Sequence, residues 1–181
     1  MASDEWVSAS APYVAPRHNG VSDAWTEESA KRSRKGGQKL AFAGEIEAPP
    51  EVAEAFGIPE GASVVARKRV ITLDGDPIEL TDTYYPASLA AGTALAVPSK
   101  IKGGAVTMLA QLGHNPDRIH EAVSARMPSR EEQDALHLGS QDPVLILRRV
   151  TTDTEGAPIQ VDLMTMPARG RHLNYEMQVN R

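Results

Sequence analysis

The second half of this sequence repeats the first. Ser63 to Pro86 (SVVARKRVITLDGDPIELTDTYYP) aligns with Pro143 to Pro167 (PVLILRRVTTDTEGAPIQVDLMTMP) with a one-residue gap in the turn. Each copy reads as an apolar strand, R-x-x-V or R-R-V, a polar Gly turn, Pro-Ile, a returning strand and Pro. The register extends upstream, where EAFGIPEGASVV from Glu54 matches DALHLGSQDPVL from Asp134. A period of about 80 residues is too long for a solenoid. Two copies predict a pseudo-symmetric domain whose sheet is shared between the halves.

Composition narrows the class. The chain has 181 residues, enough for one domain with a core plus a tail. A formal net charge of −5 argues against a basic nucleic-acid reader. With no cysteine, disulfides, thiol catalysis and cysteine metal sites are excluded. No apolar run reaches the ~18 residues of a membrane span. The first residues, MASDEWVSASAPYVAP, lack the basic start and apolar stretch of a signal peptide. The expectation is a cytoplasmic protein with no membrane association.

Residues 1–39 form a Ser-, Ala- and Pro-rich arm that carries Trp6, Tyr13 and Trp25. A solvated linker rarely holds so many large aromatics. Parts of it are expected to dock on the domain or on a partner, with a short helix near Asp23 to Ser33. The basic run KRSRKGGQK, Lys31 to Lys39, reads as a solvated linker, with contact to phosphates as the alternative. The domain, 40–181, starts with a strand from Leu40 to Ala48. PPEVAEAFG is a short helix, with proline in its first turn and Gly57 as its stop. Strands then run from Ser63 to Leu73 and from Ile78 to Tyr85 around an Asp74-Gly75-Asp76 turn. Alternation puts Ile78 and Leu80 on one side and Glu79, Thr81 and Thr83 on the other. Gly103-Gly104 precedes a helix with Val106, Leu109 and Ala110 on one face. The second copy brings a strand from Ala122 to Met127 and a helix opened by the Ser129–Glu132 capping box and ended near Gly139. Strands from Val144 to Thr152 and Ile159 to Met166 follow, and a last one from Leu173 to Val179. This is an α+β domain with a mainly antiparallel six- to seven-stranded sheet, short helices and an internal pseudo-repeat.

No G-x-S-x-G, Walker loop, G-x-G-x-x-G or H-E-x-x-H is present, so neither a catalytic site nor a metal or cofactor is expected. The histidines, His18 among them, are scattered. The positive signal is anion-friendly. Gly103, Gly104 and Ala105 open a helix whose first N–H groups lack partners. Arginines on the sheet can add bidentate bonds. The candidates are Arg67, Arg69, Arg126, Arg148, Arg149 and Arg171, of which alternation leaves at least half on the surface. Glu79, Thr81, Gln160 and Asp162 in the returning strands either complete a pocket or form the wet face of a one-sided sheet.

The hairpin RKRVITLDGDPIELTDTYYP, the helix GGAVTMLAQLG and the stretch SARMPSREEQDALHLGSQDPVLILRRVTTDTEGAPIQVD resemble the UTRA domain. That domain is the effector-binding half of HutC-branch GntR-type transcription regulators. The resemblance covers roughly residues 40–178. It implies a chorismate-lyase-like fold, a small-molecule effector and a homodimer. It also implies ligand contacts at Arg69, Thr81, Gly104 to Val106, Gln160 and Met166. Thr81, Gln160 and Met166 replace the acidic and tyrosine groups common at these positions, and Ile71 stands where a second arginine often lies. These departures imply a ligand smaller, less charged or more apolar than a sugar phosphate. About 39 residues precede the first strand, without a helix-turn-helix pattern. Either a winged helix belongs to a longer protein, or the chain is a stand-alone sensor that pairs with a separate winged-helix DNA-binding subunit. The second is the expectation, with no direct DNA binding by this chain alone. Two other functions stay open: a protein-interaction module with a vestigial pocket, and a chorismate-lyase-type enzyme built on Arg69, Arg148 and Glu79 or Asp162.

Overall fold

The computed structural model describes residues 6–8, 11–14, 24–101 and 103–176, the side chains of 6–8, 11 and 12 excepted. A strand, β1 (Trp6–Ser8), and two short helices, α1 (Ala11–Val14) and α2 (Ala24–Lys31), form the arm. The first copy comprises β2 (Gly36–Glu47), α3 (Pro50–Phe56), β3 (Ser63–Leu73) and β4 (Asp76–Pro86). A connecting segment carries α4 (Ala87–Ala90) and α5 (Ala105–Gln111). The second copy comprises β5 (Pro116–Arg126), α6 (Arg130–Leu136), β6 (Val144–Asp153) and β7 (Pro158–Pro167), and β8 (Arg171–Leu173) follows.

Among the described residues, six strands form one antiparallel sheet in the order β2-β3-β4-β7-β6-β5. That order is the same three-strand unit written forwards and backwards, as the repeat requires. The sequence alignment equates Asp82 with Leu163, and these two residues pair directly across β4 and β7. The pseudo-dyad therefore passes through that pair. The halves also exchange helices: α3 packs on β7 and α6 on β4. Val52, Ala53 and Phe56 of α3 bury against Val64, Ala66, Tyr84 and Val161. At ~1.5–3 kcal/mol for each large apolar side chain removed from water, this face holds the two copies together. The opposite face is covered by the connecting segment, with Leu95, Leu109 and Ala90 on Val65, Tyr85 and Ile159.

Several expectations need correction. Both hairpins carry a register shift at the same point of the repeat, at Ile71/Thr72 and at Thr151/Thr152. The extra residues are Ile78 and Ile159. Simple alternation fails at a bulge, so Ile78 joins the face of Glu79 and Thr81. In α5 the core face is Ala105, Met108 and Leu109, and Val106 faces elsewhere. The helix α6 stops at Leu136, because His137 takes the left-handed conformation at φ 55°. Its counterpart Gly57, at φ 64°, ends α3. The last strand is not part of the main sheet. Residues Arg171–Leu173 pair in parallel with Trp6–Ser8, and residues 177–179 of the expected strand lie outside the described residues. His18 and the side chain of Trp6 also lie outside them.

Candidate functional site: a hollow between the sheet and the arm

The face opposite α3 and α6 encloses a hollow of about 680 Å³. Its floor comes from β3, β4, β7 and β6, one wall from residues 99–101 and 103–107, and another from the arm. Strand pairing sets the floor in rows. One row reads Ala43, Arg67, Thr83, Asp162, Arg149, Glu121. The next reads Leu40, Arg69, Thr81, Met164, Leu147, Val123.

Nine of the ten residues singled out from sequence line this hollow: Arg69, Thr81, Gly103, Gly104, Ala105, Val106, Gln160, Asp162 and Met166. The tenth, Arg126, does not. It sits at the end of β5, where Nη1 and Nη2 each donate to Glu132 at 2.6 Å. Of the six candidate arginines four reach the hollow: Arg67, Arg69, Arg149 and Arg171. The expectation that at least half lie on the surface fails, because Arg67 and Arg69 are two apart on one strand and share a face. Arg148 faces the other side, opposite Leu163. Glu79, Thr81, Gln160 and Asp162 form no wet sheet face, since the connecting segment and the arm cover them.

The four guanidinium groups are held differently. Arg67 donates to the carbonyls of Ala94, Leu95 and Val97 through Nη1 (3.4, 2.9 and 2.9 Å) and of Ser99 through Nη2 (2.8 Å). It thereby fixes the loop that becomes the wall. Burial, and then the charge of Arg69, pull its pKa below the usual arginine range. Arg149 donates through Nε to Glu121 at 2.7 Å, an ion pair almost closed to solvent. Arg171 donates to the Ile78 carbonyl at 3.0 Å and lies in the field of Glu79 and Glu28, while burial lowers its pKa. Arg69 differs. Its Nη2 donates to Thr83 at 2.9 Å, but its buried Nε has no partner.

The acids are tied to neutral donors. Thr83 donates to one oxygen of Asp162 at 2.7 Å, and Gln160 to the other at 2.8 Å. Thr81 donates to Glu79 at 2.7 Å.

The arm supplies residues that sequence reasoning expected to dock but could not place. Trp25 donates through Nε1 to the Thr72 carbonyl at 3.0 Å and packs with Tyr13, Ile71, Leu73 and Ile78. Tyr13 donates to Glu28, and burial followed by Glu28 raises its pKa. Both aromatic side chains line the hollow. The usable signal was Gly36, in a run read as linker. A Cβ there would lie 2.4 Å from Ser29 Oγ and 2.7 Å from Trp25 Nε1, so only glycine lets α2 close on β2. Residues Gly36–Lys39 are strand, not linker.

Residues 31–169 match the UTRA domain. The chain belongs to the UTRA domain family. It is 30% identical over 132 residues to SCO4628, an uncharacterised HTH-type transcriptional regulator of Streptomyces coelicolor, covering 71% of this chain and 49% of that protein. This UTRA chain spans about half the length of the curated relatives it matches. Its fold matches a crystal structure assigned to the GntR family of transcriptional regulators, with TM-score 0.81, 21% identity, and 97% and 71% of the two chains covered. It also matches the effector domain of PhnF from Mycobacterium smegmatis, with TM-score 0.70, 21% identity, and 91% and 99% covered. Tyr13 and Trp25 precede the segment that carries the family match. Among the described residues no helix is long and apolar enough to cross a membrane.

Proposed function

We propose that this chain is the sensing part of a GntR-type transcription regulator. It takes up a small anionic metabolite in the hollow and reports to a winged-helix DNA-binding domain, on the same polypeptide or on a separate subunit. It works as a homodimer in the cytoplasm. One observation carries the reading. Arg69 and Arg149 hold the same place in the two copies, and each faces the hollow. The outer-strand partner of Arg149 is Glu121, and that of Arg69 is Leu40. The Arg149 Nε is therefore satisfied internally, whereas the equivalent Arg69 Nε is a buried N–H left unbonded. Such a group costs ~1–3 kcal/mol unless something bonds to it, and an anionic guest restores that bond.

The test is calorimetry of the chain against a metabolite library, with Arg69→Ala beside it. The variant is expected to keep its fold and to bind about thirtyfold more weakly, or worse, because a charge-assisted hydrogen bond of about 2 kcal/mol is lost. Equal affinity in the two proteins refutes the site. Incubation with chorismate, followed for pyruvate release, addresses the lyase alternative and is expected to show none.

A further inference from the structure

We propose that the effector is an amphiphilic monocarboxylate, one carboxylate on a hydrocarbon or aromatic body, and not a sugar phosphate. This rests on the sensor reading above and names the ligand class for the same hollow. The first argument is charge. Arg149 is matched by Glu121. Arg171 lies in the field of Glu79 and Glu28. Arg67 is engaged by four carbonyls. Lys100 is exposed at the rim. Arg69, whose buried Nε has no partner, lines the hollow and offers one carboxylate a charge-assisted bond. Asp162, 3% exposed, stands in the adjoining row and is linked to Arg69 through Thr83. Arg67 and Arg69 are the floor guanidiniums bonded to no carboxylate, and Asp162 offsets one of these two charges, so a dianionic phosphate exceeds the positive charge left to receive it.

The second argument is the bed. In its row Arg69 has Leu40 on one side and Thr81, then Met164 and Leu147, on the other, with Ile71, Met166 and Trp25 also lining the hollow. Five polar side chains of the floor already bond to one another: Thr81 to Glu79, and Thr83 and Gln160 to Asp162. A sugar brings several hydroxyl groups, each of which needs a partner once it is out of water. An apolar body needs none, and methionine side chains adapt to its shape.

The experiment is isothermal titration of the whole chain at pH 7 with hexanoate, octanoate, decanoate, 3-phenylpropionate, glucosamine 6-phosphate and inorganic phosphate. The acids are expected to bind, with affinity rising about three- to fourfold per added methylene, as burial of ~0.8 kcal/mol per CH₂ dictates. Methyl octanoate, uncharged, should bind at least tenfold more weakly than octanoate. Arg69→Met should lose at least tenfold for the acids, and Arg126→Gln, outside the hollow, should lose nothing. A melt of each unliganded variant shows whether it folds, and the ester comparison needs no variant. A flat chain-length series, or acids that bind Arg69→Met as well as the parent, overturns the proposal. Glucosamine 6-phosphate binding more tightly than every acid, and through Arg69, overturns the ligand class but keeps the sensor. No Arg69-dependent binding by any probe or by the wider library removes both.

Discussion

Arg69 and Arg149 show how one side chain in one strand position acquires two roles from its neighbours. Glutamate at the adjoining outer-strand place makes Arg149 an internal strut, and leucine there leaves Arg69 open. Sequence reasoning weighed both arginines but could not separate them, because their partners lie on strands distant in sequence. Gly36 is informative in another way. Its N–H bonds to Ser29 Oγ at 2.9 Å, and a side chain there collides with α2. Gly36→Ala is expected to destabilise the protein by about 1–3 kcal/mol, the usual cost of overpacking, and to loosen the arm. The chain has two tryptophans, so a Trp6→Phe background isolates Trp25. In that background Gly36→Ala should shift the Trp25 emission to the red and raise its quenching by acrylamide. Emission unchanged from the parent means that α2 tolerates the methyl group in place.

The equivalent helices α3 and α6 each have seven residues and start differently. Proline opens α3 with no side-chain cap. Ser129 and Glu132 cap α6 reciprocally, and Arg126 clamps Glu132 from β5. The Arg126 bond, helped by the Ser129 N–H, holds the Glu132 carboxyl below its ordinary range against a desolvation cost. A carboxylate depressed by folding stabilises the native state above its unfolded pKa, and that contribution fades as pH falls through the folded value. Glu132→Ala should therefore cost about 1–2 kcal/mol in urea unfolding at pH 7. The difference from the parent should shrink at pH 3. A gap of the same size at both values means that the carboxylate charge is not what holds the helix end. This cap was legible in the sequence because a capping box is local. The bulges at Ile78 and Ile159 were not, since alternation is read strand by strand and a bulge exists only relative to a partner. The shared Pro-Ile of the two copies is their one trace in the sequence. The pairing of β8 with β1 was hidden for a similar reason: three residues near one end meet three near the other.

At the scale of the whole molecule, duplication predicts a sheet with a dyad, and the dyad leaves a concave face that the two copies cannot close alone. The connecting segment closes part of it, and the arm closes the rest with Tyr13 and Trp25. The repeat could announce the concavity but not its lid, because the arm has no counterpart in the second copy. The lid also bears on DNA. The basic run Lys31 to Lys39 is the densest positive stretch, yet it sits on a chain of net charge −5. Within it Arg34 is held by Asp74 at 2.6 Å, which also takes the Lys35 N–H at 2.7 Å. Lys31, Lys35 and Lys39 then amount to a handful of phosphate contacts at most. That number supports only weak, salt-sensitive binding, on the order of 10⁻⁴ M at physiological salt, with no base edge read. In electrophoretic shifts with purified chain, any retardation at low salt should vanish near 150 mM and should not distinguish operator-like from random duplexes. A nanomolar, sequence-selective shift would mean that the arm itself reads DNA, and the division of labour between a sensing domain and a separate winged helix would not hold.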